Sequence, residues 1–299
     1  MFPIIPANSV AAETGNDEGI FGFGDGGGYT AVTNLVSNAG VVSTDVAGVG
    51  TVRCFVAACE YGGDKGIFGY GDPYSAVTYL VSNAGVVSSD VAGVGTARRY
   101  LAACSYGEDK GIFGFGYIAG SPYYLSLTNL VSNAGVVATD TAGVGTARSS
   151  PAACEYGGDK GIFGYGYNPY LAGYYATTNL VSNVGVVATD TAGVGTARSS
   201  LAACSYGEDK GIFGYAWSTH SMTNLVSNAG VVSTDVTGVG TGRGALAATQ
   251  YGGDKGIFGF GTDGTNYSLT NLVSNAGVVA TDVAGVGTAR NGPAACSFN

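Results

Sequence analysis

Ser200-Leu201-Ala202-Ala203-Cys204-Ser205, Gly211-Ile212-Phe213-Gly214-Tyr215, Thr223-Asn224-Leu225-Val226-Ser227 and Val231-Val232-Ser233-Thr234 lie within one stretch from Ser199 to Gly240, and that stretch decides the fold. The first piece is small and apolar, the second is β-branched and aromatic, and the last two alternate. Each therefore predicts a short strand. Tyr206-Gly207-Glu208-Asp209-Lys210, Asn228-Ala229-Gly230 and Thr237-Gly238-Val239-Gly240-Thr241 separate the strands with the Gly, Asn and Asp that tight turns require. No piece carries apolar residues at helical spacing over three turns, and glycines interrupt every candidate helix.

The same wording occurs six times, in copies beginning at Asp17, Asp64, Asp109, Asp159, Asp209 and Asp254. Only the first departs from the opening Asp-Lys, reading Asp17-Glu18. Four antiparallel strands in each unit of 45 to 50 residues predict an all-β, six-bladed β-propeller. A β-solenoid is the competing architecture, but its coils are shorter and it needs capping ends unlike its interior. Both ends here look like cut blades. Thr288 to Phe298 supplies a first strand with no blade after it, and Ser9 to Gly15 is a degraded copy of that strand. The expected closure pairs Pro293 to Phe298 with the blade begun by Gly19 to Gly24, which removes exposed sheet edges. Residues 1–8 then form an N-terminal extension and residues 9–299 a single domain.

Composition narrows the function. Of 299 residues 53 are glycine, yet there is no Gly-X-Y period, and 45% hydrophobic content marks a folded chain. The net charge of −9 comes without any block of like charge, which disfavours nucleic acid, since phosphate contact needs clustered Lys and Arg. Met1-Phe2-Pro3-Ile4-Ile5-Pro6 lacks the form of a secretory signal, and no run approaches a membrane span. Membrane insertion is not expected.

Arg198-Ser199-Ser200-Leu201-Ala202-Ala203, followed by Tyr206-Gly207, Lys210 and Ile212-Phe213-Gly214, resembles a kelch-type propeller blade. Gly-(Tyr/Phe)-Gly replaces that family's double glycine and its late tryptophan is missing, so the match is to architecture and part of the motif. Over about residues 7 to 299 the repeated Asp-Lys-Gly-Ile-Phe-Gly-Tyr and Thr-Asn-Leu-Val-Ser-Asn resemble repeat proteins of unknown function encoded by tailed bacteriophages and marine viral sequences. That resemblance implies a virion or tail-associated component.

Sixfold copies spread like groups around a ring, whereas catalysis needs unlike groups at one point, so no enzyme is expected. Five cysteines occupy one repeat position (Cys59, Cys104, Cys154, Cys204, Cys296), which reads as small buried packing and not as a disulfide set or a metal site. No cofactor is expected. The recurrent Asp-Lys pair and the recurrent Thr-Asp read as turn or inter-blade hydrogen bonding.

What differs between copies is the segment after the second strand: Asp25 to Val32, Asp72 to Val77, Tyr117 to Leu127, Tyr167 to Thr177, Trp217 to Met222 and Thr262 to Leu269. Propeller geometry predicts one face for all six, shared with the recurrent Arg53, Arg98, Arg148, Arg198, Arg243 and Arg290. Two neighbouring segments are rich in tyrosine, with Tyr117, Tyr123 and Tyr124 in one and Tyr167, Tyr170, Tyr174 and Tyr175 in the next. The following segment carries the only tryptophan, Trp217, and the only histidine, His220. Tyrosine offers broad rigid contact and a hydroxyl at low entropic cost. These residues, with Arg148 and Arg198, form the expected binding face of a non-enzymatic module for a host surface glycan or a neighbouring virion protein. A structural decoration protein anchored through Met1 to Pro6, with oligomers inside an assembly, is the alternative.

Overall fold

A computed structural model describes residues 17–217 and 220–299. The expected anchor at residues 1–6 and the degraded strand at 9–15 lie outside the described residues. Within them there are eighteen strands and no helix.

The strands make six separate three-stranded antiparallel sheets. The first contains β1 (Glu18–Asp25) and β2 (Tyr29–Val36). The second contains β3 (Ala57–Tyr61), β4 (Lys65–Gly69) and β5 (Thr78–Val81). The third contains β6 (Ala102–Tyr106), β7 (Lys110–Tyr117) and β8 (Tyr124–Val131). The fourth has β9 (Ala152–Tyr156), β10 (Lys160–Asn168) and β11 (Gly173–Val181). The fifth has β12 (Ala202–Tyr206), β13 (Lys210–Ala216) and β14 (His220–Val226). The sixth has β15 (Ala247–Tyr251), β16 (Lys255–Gly259) and β17 (Thr270–Val273). The last strand, β18 (Ala294–Phe298), pairs with β1, setting Cys296 opposite Ile20, and so completes the first sheet.

Each unit has three regular strands where the sequence pattern predicts four. The fourth segment meets the third strand only through isolated bridges, Thr223 with Val236 and Val226 with Val232 in the fifth unit. The reason lies in its side chains. Asp235 turns away to accept hydrogen bonds from the Thr196 amide, at 3.2 and 3.0 Å, and from the Thr196 hydroxyl at 2.6 Å, and it also accepts from Asn224 Nδ2 at 2.9 Å. This pins the connection that enters the fifth sheet. The same pin joins Thr51 to Asp90, Thr96 to Asp140, Thr146 to Asp190, Thr241 to Asp282 and Thr288 to Asp45. Burial pushes the Asp235 carboxyl upward, but hydrogen bonds from Thr196 and Asn224 and the charge of Arg198 outweigh it and hold the group below the usual range.

Hydrophobic clusters lie between consecutive sheets, and one of them joins the sixth sheet to the first through Ala247, Ile257 and Phe260 against Phe21 and Val36. Two devices allow the sheets to approach. At the start of the second strand a glycine receives the cysteine of the preceding sheet: a Cβ on Gly161 would stand 2.6 Å from Cys104 Sγ. At the strand's end the register slips between Gly214 and Ala216, and Tyr215 takes a left-handed backbone with φ 63°. Phe23, Tyr70, Phe115, Tyr165 and Phe260 do the same. Such a conformation costs about 1–3 kcal/mol. The cost is offset because the bulge aims each ring at the next sheet, as Tyr215 on Phe258 at 5.1 Å.

Candidate functional site

The six arginines expected on the variable face lie beneath it. Arg148 is fully buried and Arg198 is 2% exposed. Arg198 donates from Nε to Tyr215 O at 3.1 Å, from NH1 to Thr196 O at 3.1 Å and from NH2 to Asn224 Oδ1 at 2.6 Å, and its guanidinium sits 4.3 Å from the centre of the Tyr165 ring. Arg148 repeats this with Tyr165 O, Thr146 O and Asn179, over Phe115. Burial lowers Arg148 to about 10 against the pull of Asp190, which leaves it charged at neutral pH. With every donor directed inward, neither Arg148 nor Arg198 reaches a ligand. Both belong to the scaffold.

Above them the variable segments build a cleft of about 380 Å³. Tyr117 and Tyr124 come from the third unit, Tyr167 and Tyr174 from the fourth and Trp217 from the fifth. Longer inserts explain the placement: in the third and fourth units the hairpin continues past the bulge, pairing Tyr117 with Tyr124 and Tyr167 with Tyr174 across the two strands. In the second and sixth units the paired strands stop at Gly69 and Gly259. The rings touch one another, Tyr117 and Tyr124 at 5.2 Å and Tyr167 and Tyr174 at 4.9 Å. Tyr123 and Tyr170 extend the surface outward, 5.9 Å apart, with Tyr170 70% exposed.

Two expected members stand apart from the cleft. Tyr175 is buried, and its hydroxyl accepts from the Ala172 amide at 3.1 Å, which fastens the hairpin from below. His220 pairs with Ala216 beside the turn of its hairpin and does not line the cleft. Residues 218 and 219 lie outside the described residues.

The inner wall was not foreseen. It consists of Phe55, Tyr100, Ser150, Ser200 and Ala245, the residues that precede each first strand. All five have positive φ, between 50° and 57°. Backbone hydrogen bonds run from one to the next, Ser150 to Tyr100 (2.7 Å), Ser200 to Ser150 (3.1 Å), Ala245 to Ser200 (2.9 Å), Gly292 to Ala245 (2.8 Å) and Phe55 to Gly292 (2.8 Å). The signal was present in the sequence, since these positions vary between copies while Ala-Ala-Cys after them scarcely does.

Among the described residues one charged side chain lines the cleft. Arg99, where the other copies carry different residues, bonds Asp72 at 2.9 Å and lies 4.9 Å from the Tyr74 and Tyr100 ring centres and 5.5 Å from that of Tyr117. Asp72 also accepts a hydrogen bond from the Tyr29 hydroxyl. Beside them the thiol of Cys54 is pushed up to about 12, chiefly by burial and then by Asp72. No group of three or more metal-ligating side chains forms among the described residues.

No protein-family model matches this chain, and no curated protein matches it.

Proposed function

We propose that the chain is a kelch-like six-bladed β-propeller, closed as a ring by its C-terminal strand, and that it acts as a non-enzymatic binding module whose ligand occupies the aromatic cleft. The closure is supported by β18 beside β1, by the Thr288 to Asp45 pin and by the cluster between the sixth and first sheets. One observation carries the binding reading: residues that vary between copies converge on the cleft, while the constant ones fill the sheets and their connections. Drift at unconstrained hairpin tips accounts for differing lengths but not for five aromatic side chains from three consecutive units around one space.

The partner is a host surface glycan or a neighbouring virion protein, and the wording of the repeats supports a place in a phage particle. Among the described residues no histidine or carboxylate lines the cleft to activate its serines, which supports binding without catalysis. A structural role within an assembly is favoured by one feature, a valine in every unit near 65% exposure (Val41, Val86, Val136, Val186, Val231 and Val278).

The test compares the full chain with its Tyr174→Ala and Trp217→Ala variants for retention on bacterial cell envelopes and on purified virions. Both side chains are about half exposed, so the variants are expected to keep their unfolding midpoints. Weakened retention on either surface supports the cleft, and equal retention by all three proteins refutes it.

A further inference from the structure

We infer that the cleft takes an uncharged oligosaccharide, a class that rests on the binding reading above. Three features converge on it. First, the outer wall is made of flat rings, Tyr117, Tyr124, Tyr167, Tyr174 and Trp217, which suit the C–H faces of pyranose rings. Second, the polar groups between them are hydroxyls, from Ser150, Ser199, Ser200 and the tyrosines, and each both donates and accepts. A polyol has the same dual character. Most backbone groups of the inner wall are already engaged in a run of hydrogen bonds from Phe55 through Gly292, Ala245, Ser200 and Ser150 to Tyr100, so recognition there falls to these side chains.

The third feature is charge. The single ionic group on the lining, Arg99, is neutralised by Asp72 at 2.9 Å, and Asp72 is itself held by Tyr29. An anionic sugar would compete with Asp72 for the guanidinium, and it would approach a chain of net charge −9. A neutral sugar leaves the pair intact. At about 380 Å³ the cleft falls in the size range that holds a ligand of several rings, and Tyr123 and Tyr170 continue it outward. A proline-rich peptide also stacks on aromatic grooves, but it brings no donors for the serine and phenol oxygens.

Trp217 is the only tryptophan in the chain and stands in the cleft, so its fluorescence reports occupancy directly. The intact protein is titrated with glucose, with neutral hexasaccharides of glucose, mannose and galactose, with hexagalacturonate and with decaproline. A saturable response to a neutral hexasaccharide is expected, about tenfold or more tighter than to the monosaccharide. Tyr174→Ala should weaken it about tenfold, while Tyr174→Phe should retain most of it. Response to hexagalacturonate or decaproline alone, lost in Tyr174→Ala, overturns the uncharged-oligosaccharide class and keeps the cleft as a binding site. A response indifferent to Tyr174→Ala overturns both readings. Silence toward every neutral hexasaccharide overturns this inference, and the envelope and virion assay then judges the binding reading independently.

Discussion

Gly161→Ala tests how the sheets are held together. A Cβ added at Gly161 would lie 2.6 Å from Cys104 Sγ, 3.2 Å from the Ser105 carbonyl oxygen and 3.3 Å from Val181 Cβ. Ordinary heavy-atom contact begins near ~3.5 Å, so the sulfur overlap approaches ~1 Å. Cys104 cannot retreat, because it is buried among Ala102, Ala153 and Phe163. Overpacking of this kind costs about 1–3 kcal/mol, against the roughly 0.4–1 kcal/mol gained by restricting the unfolded chain. The single variant should therefore lose about 1–2 kcal/mol. Cys104→Ala alone removes one buried sulfur and should cost about 1 kcal/mol. In the double variant the new methyl occupies the space the sulfur leaves, so the two changes should nearly cancel, with a coupling of about 1–3 kcal/mol. Urea unfolding of the four proteins measures it. A double variant as unstable as the sum of the singles would refute the argument, as would a Gly161→Ala protein of undiminished stability.

Two further outcomes follow from groups inside the scaffold. Burial, with Asp159 and Glu108 nearby, pushes the Glu155 carboxyl up to about 7. A carboxylate raised in the folded state opposes folding once ionised, so stability declines as pH rises from its unfolded value through about 7. Glu155→Gln should accordingly raise the thermal midpoint at pH 8 and change it little at pH 5, as differential scanning calorimetry would register. Arg198→Lys preserves the charge but cannot reproduce three divergent donors and a flat contact with Tyr165, so a loss of about 2–4 kcal/mol is expected in urea unfolding, with no rescue by salt.

Much of this architecture is legible in the sequence because its signals are local. Gly211 to Tyr215 reads as a strand from its β-branched and aromatic residues, and Gly207 and Gly230 mark turns where φ is positive. The weak fourth segment is not legible that way. Val231 to Thr234 alternates like a strand, but its place is fixed by Asp235 reaching a threonine in an incoming connection 39 residues earlier. Arg198 was misplaced for a related reason: an arginine after Thr-Ala in a glycine-rich connection has the look of a surface residue. Its constancy in all six units, beside an asparagine constant in five, pointed instead to a shared internal role. Tyr79 stands in the sixth asparagine position and still serves an arginine, accepting from Arg53 Nε at 2.8 Å. In the cleft, tyrosine enrichment identified the outer wall, whereas the inner wall depends on residues from separate units whose neighbourhood arises only in the folded chain.

The hydrogen bonds that pin the connection into the fifth sheet join Thr196, Asp235, Asn224 and Arg198 from the constant wording, and none of these four side chains comes from a variable segment. Each unit thus works as a cassette. Exchange of the insert between the second and third strands alters what the face presents while leaving these side-chain pins in place. Recombination among such nearly identical units therefore changes the exposed insert without first requiring extra stability to tolerate the change.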